Sequence, residues 1–352
     1  MTDGLDRVRR GYESATARFH TALASGAAVV SQTCVIGGRT VQVRIVGPQL
    51  AEQFLGPWQH LRTPQAAVPP SLSIDVWHRA ETGIDLEAPS TLDPLSRFPY
   101  EVSADDRCFA LRQPETTAWL DRGARHLVAM VGDVGRRALY EAGRPLEMAV
   151  LVWLRDAGIP LVHAAFVSVG DAGALILGQS GSGKSTLAGE CAAEGLAFLG
   201  DDKVAFVRHG VGDFVGFSLS ASLHVDRRSL ERLPHLADAA LAPARSLDDK
   251  YRIPLEQVAA AHLRPDARIR AIVMPTLTRQ AGAPLEPASR RSALLALSLS
   301  TMLSLPTARQ HSLDALAALA TAIPAYSLRL RGEHTAPALV AELLATPRTA
   351  DR

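Results

Sequence analysis

The chain has 352 residues, of which 47% are hydrophobic and 21% charged, and its formal net charge is +1. That length suffices for two domains, and the composition is that of a soluble globular protein with a packed core. The near-neutral balance, with no broad basic field, disfavours nucleic acid as a partner.

The opening stretch MTDGLDRVRRGYESATARFH carries charges and no long apolar core, so it does not read as a secretory signal. Leu5, Val8, Tyr12 and Ala15 recur at helical spacing and predict a helix over 5–24. Strand-like runs follow at 29–36 (VVSQTCVI), 40–47 (TVQVRIVG) and 71–78 (SLSIDVWH), the first two joined by Gly37-Gly38, a hairpin signal. TPQAAVPP (63–70) reads as a Pro-rich connector, and YEVSADDRCFALRQ (100–113) as a hairpin turning at 104–106. Residues 1–115 thus predict a small, strand-rich, largely antiparallel domain for acceptor recognition or oligomerisation.

From Trp119 on, ARHLVAMVGDVGRRALYEAG and RPLEMAVLVWLRDAG run at helical period, predicting a helical connector over 116–158. The longest apolar run, Met148–Leu154, is far short of the ~20 residues of a membrane span, so no membrane association is expected. Cys34, Cys108 and Cys191 are widely spaced and match neither a disulfide framework nor a zinc site. Small core residues in a reducing, cytoplasmic compartment fit them.

A third region, 159–346, alternates strands and helices and reads as α/β. LVHAAFVSVG and ALILGQS are strands meeting over a turn at 170–173, and the second runs into a glycine-rich loop. Gly178-Gln179-Ser180-Gly181-Ser182-Gly183-Lys184-Ser185 fits G-x-x-x-x-G-K-[ST] without mismatch, and Thr186 follows. Glycines let backbone N–H groups turn inward around a β-phosphate, and the helix starting near Lys184 adds its positive end. Lys184 is expected to reach the β/γ-phosphates of ATP, and the Ser185 hydroxyl to ligate Mg²⁺. The loop also resembles that of ABC-type ATPases, but the chain has neither an LSGGQ-like segment nor a distant hydrophobic run ending in Asp-Glu.

Asp201-Asp202 lie 17 and 18 residues after Lys184, at the end of LAFLG. One helix and a return strand bring them back beside the loop, where carboxylates hold Mg²⁺ or take a proton from an attacking hydroxyl. His163 precedes Lys184 by 21 residues, on the strand paired with the one that feeds the loop. Lys250 and Arg252, two apart in DDKYR, share a side if that segment is extended, and they are candidate phosphate contacts together with Arg227-Arg228.

LVHAAFVSVGDAGALILGQSGSGKSTLA and GLAFLGDD resemble the catalytic core of HPr kinase/phosphorylase and its HPr-kinase-related relatives, whose fold is shared with phosphoenolpyruvate carboxykinase. The resemblance covers about 159–206 well and the α/β pattern to about 345 loosely. It implies a C-terminal P-loop kinase domain of that type, preceded by a smaller strand-rich domain. The implied chemistry is transfer of the γ-phosphoryl of ATP, with Mg²⁺, to a serine hydroxyl. One of Asp201 and Asp202 is implied as base, polarised by His163, and the other as the metal carboxylate; of the two orders left open, Asp201 as base and Asp202 for Mg²⁺ is the one favoured here. Thr186 stands where the HPr enzymes commonly have Glu. VGFSLSASLHVDRRSL (215–230) stands in place of their EIRGLGI-like segment. The departures imply a one-way kinase for a serine on a peptide or protein, with homo-oligomerisation open. Two other readings stay in play: a small-molecule kinase acting on a metabolite hydroxyl, and a non-catalytic ATP-binding module.

Overall fold

A computed structural model of the chain describes residues 2–64, 69–86, 101–104, 107–179, 181–242, 250–278, 284–304, 310–330 and 335–346. It is a mixed α/β protein with several sheets. Two compact units divide it, one formed by 1–157 and the other by 158–242 with the chain from 249 on. Among the described residues, no helix is long and apolar enough to cross a membrane.

The first unit holds β1 (Val29–Ile36), β2 (Arg39–Val46), β3 (Leu72–His78), β4 (Glu101–Ala104), β5 (Cys108–Arg112), β6 (Thr116–Asp121) and β7 (His126–Val131). They form one sheet in the order β1-β2-β3-β7-β6-β5-β4. Its helices are α1 (Thr2–Leu23), α2 (Pro48–Leu55), α3 (Arg79–Thr82), α4 (Leu139–Gly143) and α5 (Glu147–Asp156). β3 runs parallel to both β2 and β7, whereas the other pairs are antiparallel. Ala15, Phe19 and Ala22 of α1 pack against Trp77, Trp119 and Val128 on one face.

This corrects the helical reading of 116–131, which forms β6 and β7. HLVAMV fills a central strand buried along nearly its whole length. A strand covered on both faces is apolar throughout, and such a run has no alternation to set it apart from a helix. The sheet also ties polar groups together. Arg44 donates to both carboxylate oxygens of Asp75 at 2.8 and 2.6 Å, His126 Nε2 lies 3.1 Å from Asp75 Oδ2, and Tyr12 bonds His126 Nδ1 at 2.8 Å.

The second unit holds β8 (Leu161–Val162), β9 (Ala165–Val169), β10 (Ala172–Ile176), β11 (Ala197–Gly200), β12 (Val204–Gly210), β13 (Asp213–Phe217), β14 (Ser222–Val225), β15 (Tyr251–Pro254), β16 (Asp266–Leu277), β17 (Leu285–Ala288) and β18 (Ala325–Leu330). Its helices are α6 (Lys184–Ala193), α7 (Arg227–Glu231), α8 (Pro234–Ala237), α9 (Leu255–Val258), α10 (Arg290–Ser304), α11 (Gln310–Ala322) and α12 (Ala336–Ala345). The main path is β11-β9-β10-β16-β13-β12-β8, with β18 on β16, β17 on β18, and β14·β15 a separate pair. Two core clusters form, one with side chains of α6 and α12 and the other with side chains of α10 and α11.

Chain connectivity curls this sheet. β8 ends the path, yet it leads into β9 near the other end through His163 and Ala164 alone. Three Cα steps span at most about 11 Å, so the two ends of the path must meet there. β11 and β12, joined through 201–203, impose the same closure.

Phe166 of β9 fills the inside of the curl. A Cβ added at Gly173 or Gly216 would lie 2.5 or 2.6 Å from its ring. Glycine within a strand marks such a close approach. Gly216→Val is expected to lower the stability of this unit by about 1–3 kcal/mol through overpacking. Thermal unfolding of the variant, followed by circular dichroism, checks this.

Candidate active site

β9 lies antiparallel between β10 and β11, and its first residues pair with the last residues of both: Ala165 with Ile176 and Phe166 with Gly200. The loop after β10, the acidic pair after β11 and His163 just before β9 therefore emerge at one edge of the sheet. Val162 also pairs with Val204, which brings His163 alongside Asp202 and Lys203.

The glycine-rich loop connects β10 to α6, whose first residue is Lys184. Gly183 has φ +94°, and a Cβ there would come within 2.9 Å of Leu330 Cδ1. At Gly178 an added Cβ would meet Ser182 Oγ at 2.3 Å. Backbone freedom and close approach are thus both needed in the loop. Lys184 is 8% exposed, and its ammonium donates to the carbonyls of Gly178 at 2.7 Å and Gln179 at 3.1 Å. Burial lowers its pKa, the carboxylates of Asp201 and Asp202 act against that, and Lys250 adds to it. Ser182 Oγ is buried with no hydrogen-bond partner among the described residues. Gly181 has φ +79°, and Ser180 lies outside the described residues.

The two carboxylates have different company. Asp201 is buried; Oδ1 accepts from Ser185 Oγ at 2.8 Å, and Oδ2 accepts from the backbone N–H of His224 on β14 at 3.2 Å. Asp202 adopts φ +80°, a left-handed backbone that non-glycine residues rarely take outside turns and functional sites. Its Oδ1 lies 2.8 Å from His163 Nδ1, and its Oδ2 accepts from Lys203 Nζ.

His163 does not sit on the hairpin strand, as its position in the sequence predicts; it occupies the break between β8 and β9. The break follows from the switch of partners, from β12 before it to β10 and β11 after it. Its backbone N–H donates to Thr301 Oγ1 of α10 at 3.2 Å.

Arg252 is also corrected as a phosphate contact. It is buried on β15, donates to Ser222 Oγ at 2.9 Å and pairs with Glu256, so its guanidinium is committed. A buried guanidinium released from its carboxylate would leave both charges uncompensated. Lys250, one residue before β15, is exposed, and its charge is felt at Lys184. Thr186 donates to Ser229 Oγ of α7 at 2.7 Å.

No family model matches the chain, and no curated protein sequence matches it. Among solved structures, it is similar to one described as the HPr(Ser) kinase/phosphatase from Coxiella burnetii. That match covers 52% of this chain and 92% of that one, at 14% identity and a TM-score of 0.28.

Sequence reasoning missed Lys203, Ser229, Thr301 and the His224 N–H. Lys203 had a signal, since it directly follows the acidic pair. The other three reach the site only through packing of β14, α7 and α10.

Proposed function

We propose that this chain catalyses ATP-dependent phosphoryl transfer to a hydroxyl, with a serine of a peptide or protein as acceptor and no phosphorolytic reversal. The observation that carries the reading is the meeting of an unbroken phosphate loop with two carboxylates in separate company. Asp201 is bonded to Ser185, and Asp202 is beside His163. A module that only binds nucleotide has no use for the second carboxylate.

The residues fit the groups this reading asks for. The cradle that a Cβ at Gly178 would fill, the N-terminal end of α6 and the Lys184 ammonium suit a polyphosphate. Ser185 and Asp201 are hard oxygen donors and would hold Mg²⁺, which supplies neutralisation of charge between the phosphates. The role of metal carboxylate thereby passes to Asp201, and that of base to Asp202. This reverses the order that the sequence reading favoured.

In the transfer, the acceptor oxygen bonds to the γ-phosphorus as the bond from that phosphorus to the ADP oxygen breaks. ADP leaves with the electron pair, and the hydroxyl proton goes to the Asp202 carboxylate. His163 and Lys203 orient that carboxylate from either side. A serine hydroxyl is a weak nucleophile at neutral pH, so a positioned base is what the step needs.

The test is transfer of labelled phosphate from ATP with Mg²⁺ to HPr, to serine peptides and to a metabolite pool, using wild type and Lys184→Met. Label on a peptide or protein serine, reduced about 10²-fold or more in the variant, is expected. Label on a metabolite hydroxyl would instead make it a small-molecule kinase. Equal ATP binding in both proteins with no transfer to any acceptor would overturn the catalytic reading.

A further inference from the structure

The segment 224–229 is tied to the site at both ends. Its start donates the His224 N–H to Asp201, and its end accepts the Thr186 hydroxyl at Ser229. Arg232 adds a bond to Glu190 of α6 at 2.7 Å, so α7 is held against the helix that begins at Lys184. Between the two anchors, Asp226, Arg227 and Arg228 are exposed. Asp226 turns inward to cap the Ser229 N–H at 2.7 Å, leaving the two arginines to face outward.

The strand register adds a third cation. β14 and β15 pair antiparallel with Val225 opposite Tyr251, so the next position along sets Asp226 opposite Lys250. Lys250 and Arg227 thus flank the same end of the strand pair. Its effect on Lys184 independently marks this end as close to the phosphate loop. Arg227, Arg228 and Lys250 make no ion pair among the described residues, and Glu231, one turn on, engages neither arginine there. In the reading proposed above, Lys184 and the loop amides serve the phosphates, which leaves this rim for another anionic group.

We infer that Arg227, Arg228 and Lys250 form a cationic rim that selects an acceptor whose serine is flanked by carboxylate side chains. The inference rests on the phosphotransferase reading above and specifies its substrate class. Exposed charges of this kind act on encounter and affinity, and salt screens them.

The full-length protein would be assayed with three peptides of equal length around a central serine, flanked by Asp/Glu, by Asn/Gln or by Lys. Wild type, Arg227→Glu/Arg228→Glu and Arg227→Lys/Arg228→Lys would be compared at low and high salt. Wild type is expected to favour the acidic peptide over the neutral one by about tenfold in kcat/KM, carried by KM and shrinking with salt. Charge reversal should abolish or invert that order, the lysine variant should keep it, and nucleotide affinity should stay within about twofold in all three. Equal treatment of the three peptides by wild type, or an unchanged order after charge reversal, would overturn the inference. Should none of the three peptides be labelled and the transfer assay above find no acceptor either, the kinase reading fails separately. Equilibrium binding of the same peptides, by fluorescence anisotropy, then decides the rim: tighter acidic binding lost on charge reversal sustains it, and equal binding overturns it.

Discussion

Asp202→Asn is expected to slow phosphoryl transfer by about 10²- to 10⁴-fold, the range for removal of a positioned general base, while nucleotide affinity stays within about threefold. Asparagine is the informative replacement. It keeps the size of the side chain, and with aspartate it is among the residues that best tolerate the left-handed backbone found at position 202. What it loses is the capacity to accept a proton. It is Asp201 that bonds Ser185 at the end of the loop, so phosphate binding should survive. Asp201→Asn should behave differently. Its carboxylate is bonded to Ser185, so the variant should need more Mg²⁺ and recover part of its rate at high metal. Rates measured against magnesium concentration for both variants separate the roles. Rate loss confined to Asp201→Asn and insensitive to metal would restore the order that the sequence reading favoured and sink the one proposed here.

Asp75→Ala is expected to destabilise the first unit by about 1–3 kcal/mol, the cost of leaving polar partners unpaired when the Arg44 side chain left behind is 41% exposed to water, and to lower its melting temperature by about 5 °C. The alanine would strand Arg44, whose two donors meet the carboxylate at 2.8 and 2.6 Å, and would release His126 and with it Tyr12. Burial by itself would raise the Asp75 pKa, but hydrogen bonds from His126 and Arg44 more than offset it and hold it below the usual value. The folded state therefore binds this proton less readily than the unfolded state does. The stabilisation is fully present above the unfolded value near pH 4 and is lost as pH falls through the lower folded value. Thermal unfolding between pH 3 and 7 should show wild type losing stability on the acid side, with Asp75→Ala flatter there. Parallel curves would show that the network contributes nothing through this group.

The two units differ in how much of them could be read from the chain. Gly37-Gly38 marked the β1–β2 hairpin because a two-residue turn needs residues that tolerate positive φ, and both do adopt it, at +58° and +73°. In the second unit, the helix at Lys184 and the strand at Ala197–Gly200 were legible because glycine-rich punctuation bounds them. HLVAMV was not legible as a strand: its identity depends on neighbours covering both faces, and no local pattern records that. Lys250 and Arg252 sit two apart, as one pair, yet only the first reaches solvent. Glu256 decides the matter for Arg252.

By itself, the sequence determined the glycine-rich loop between β10 and α6, since its glycine spacing, lysine and serine are a local pattern with a local backbone consequence. It also singled out the acidic pair and the histidine that emerge at the same edge of the sheet as that loop. Tertiary structure alone decided which partners each carboxylate meets. Asp201 and Asp202 are adjacent and chemically identical, and nothing along the chain distinguishes them. Curling of the sheet hands one to Ser185 and β14, and the other to His163 and Lys203. Roles that depend on which partner a carboxylate meets are set by strands far apart in sequence, through the register at which they pair.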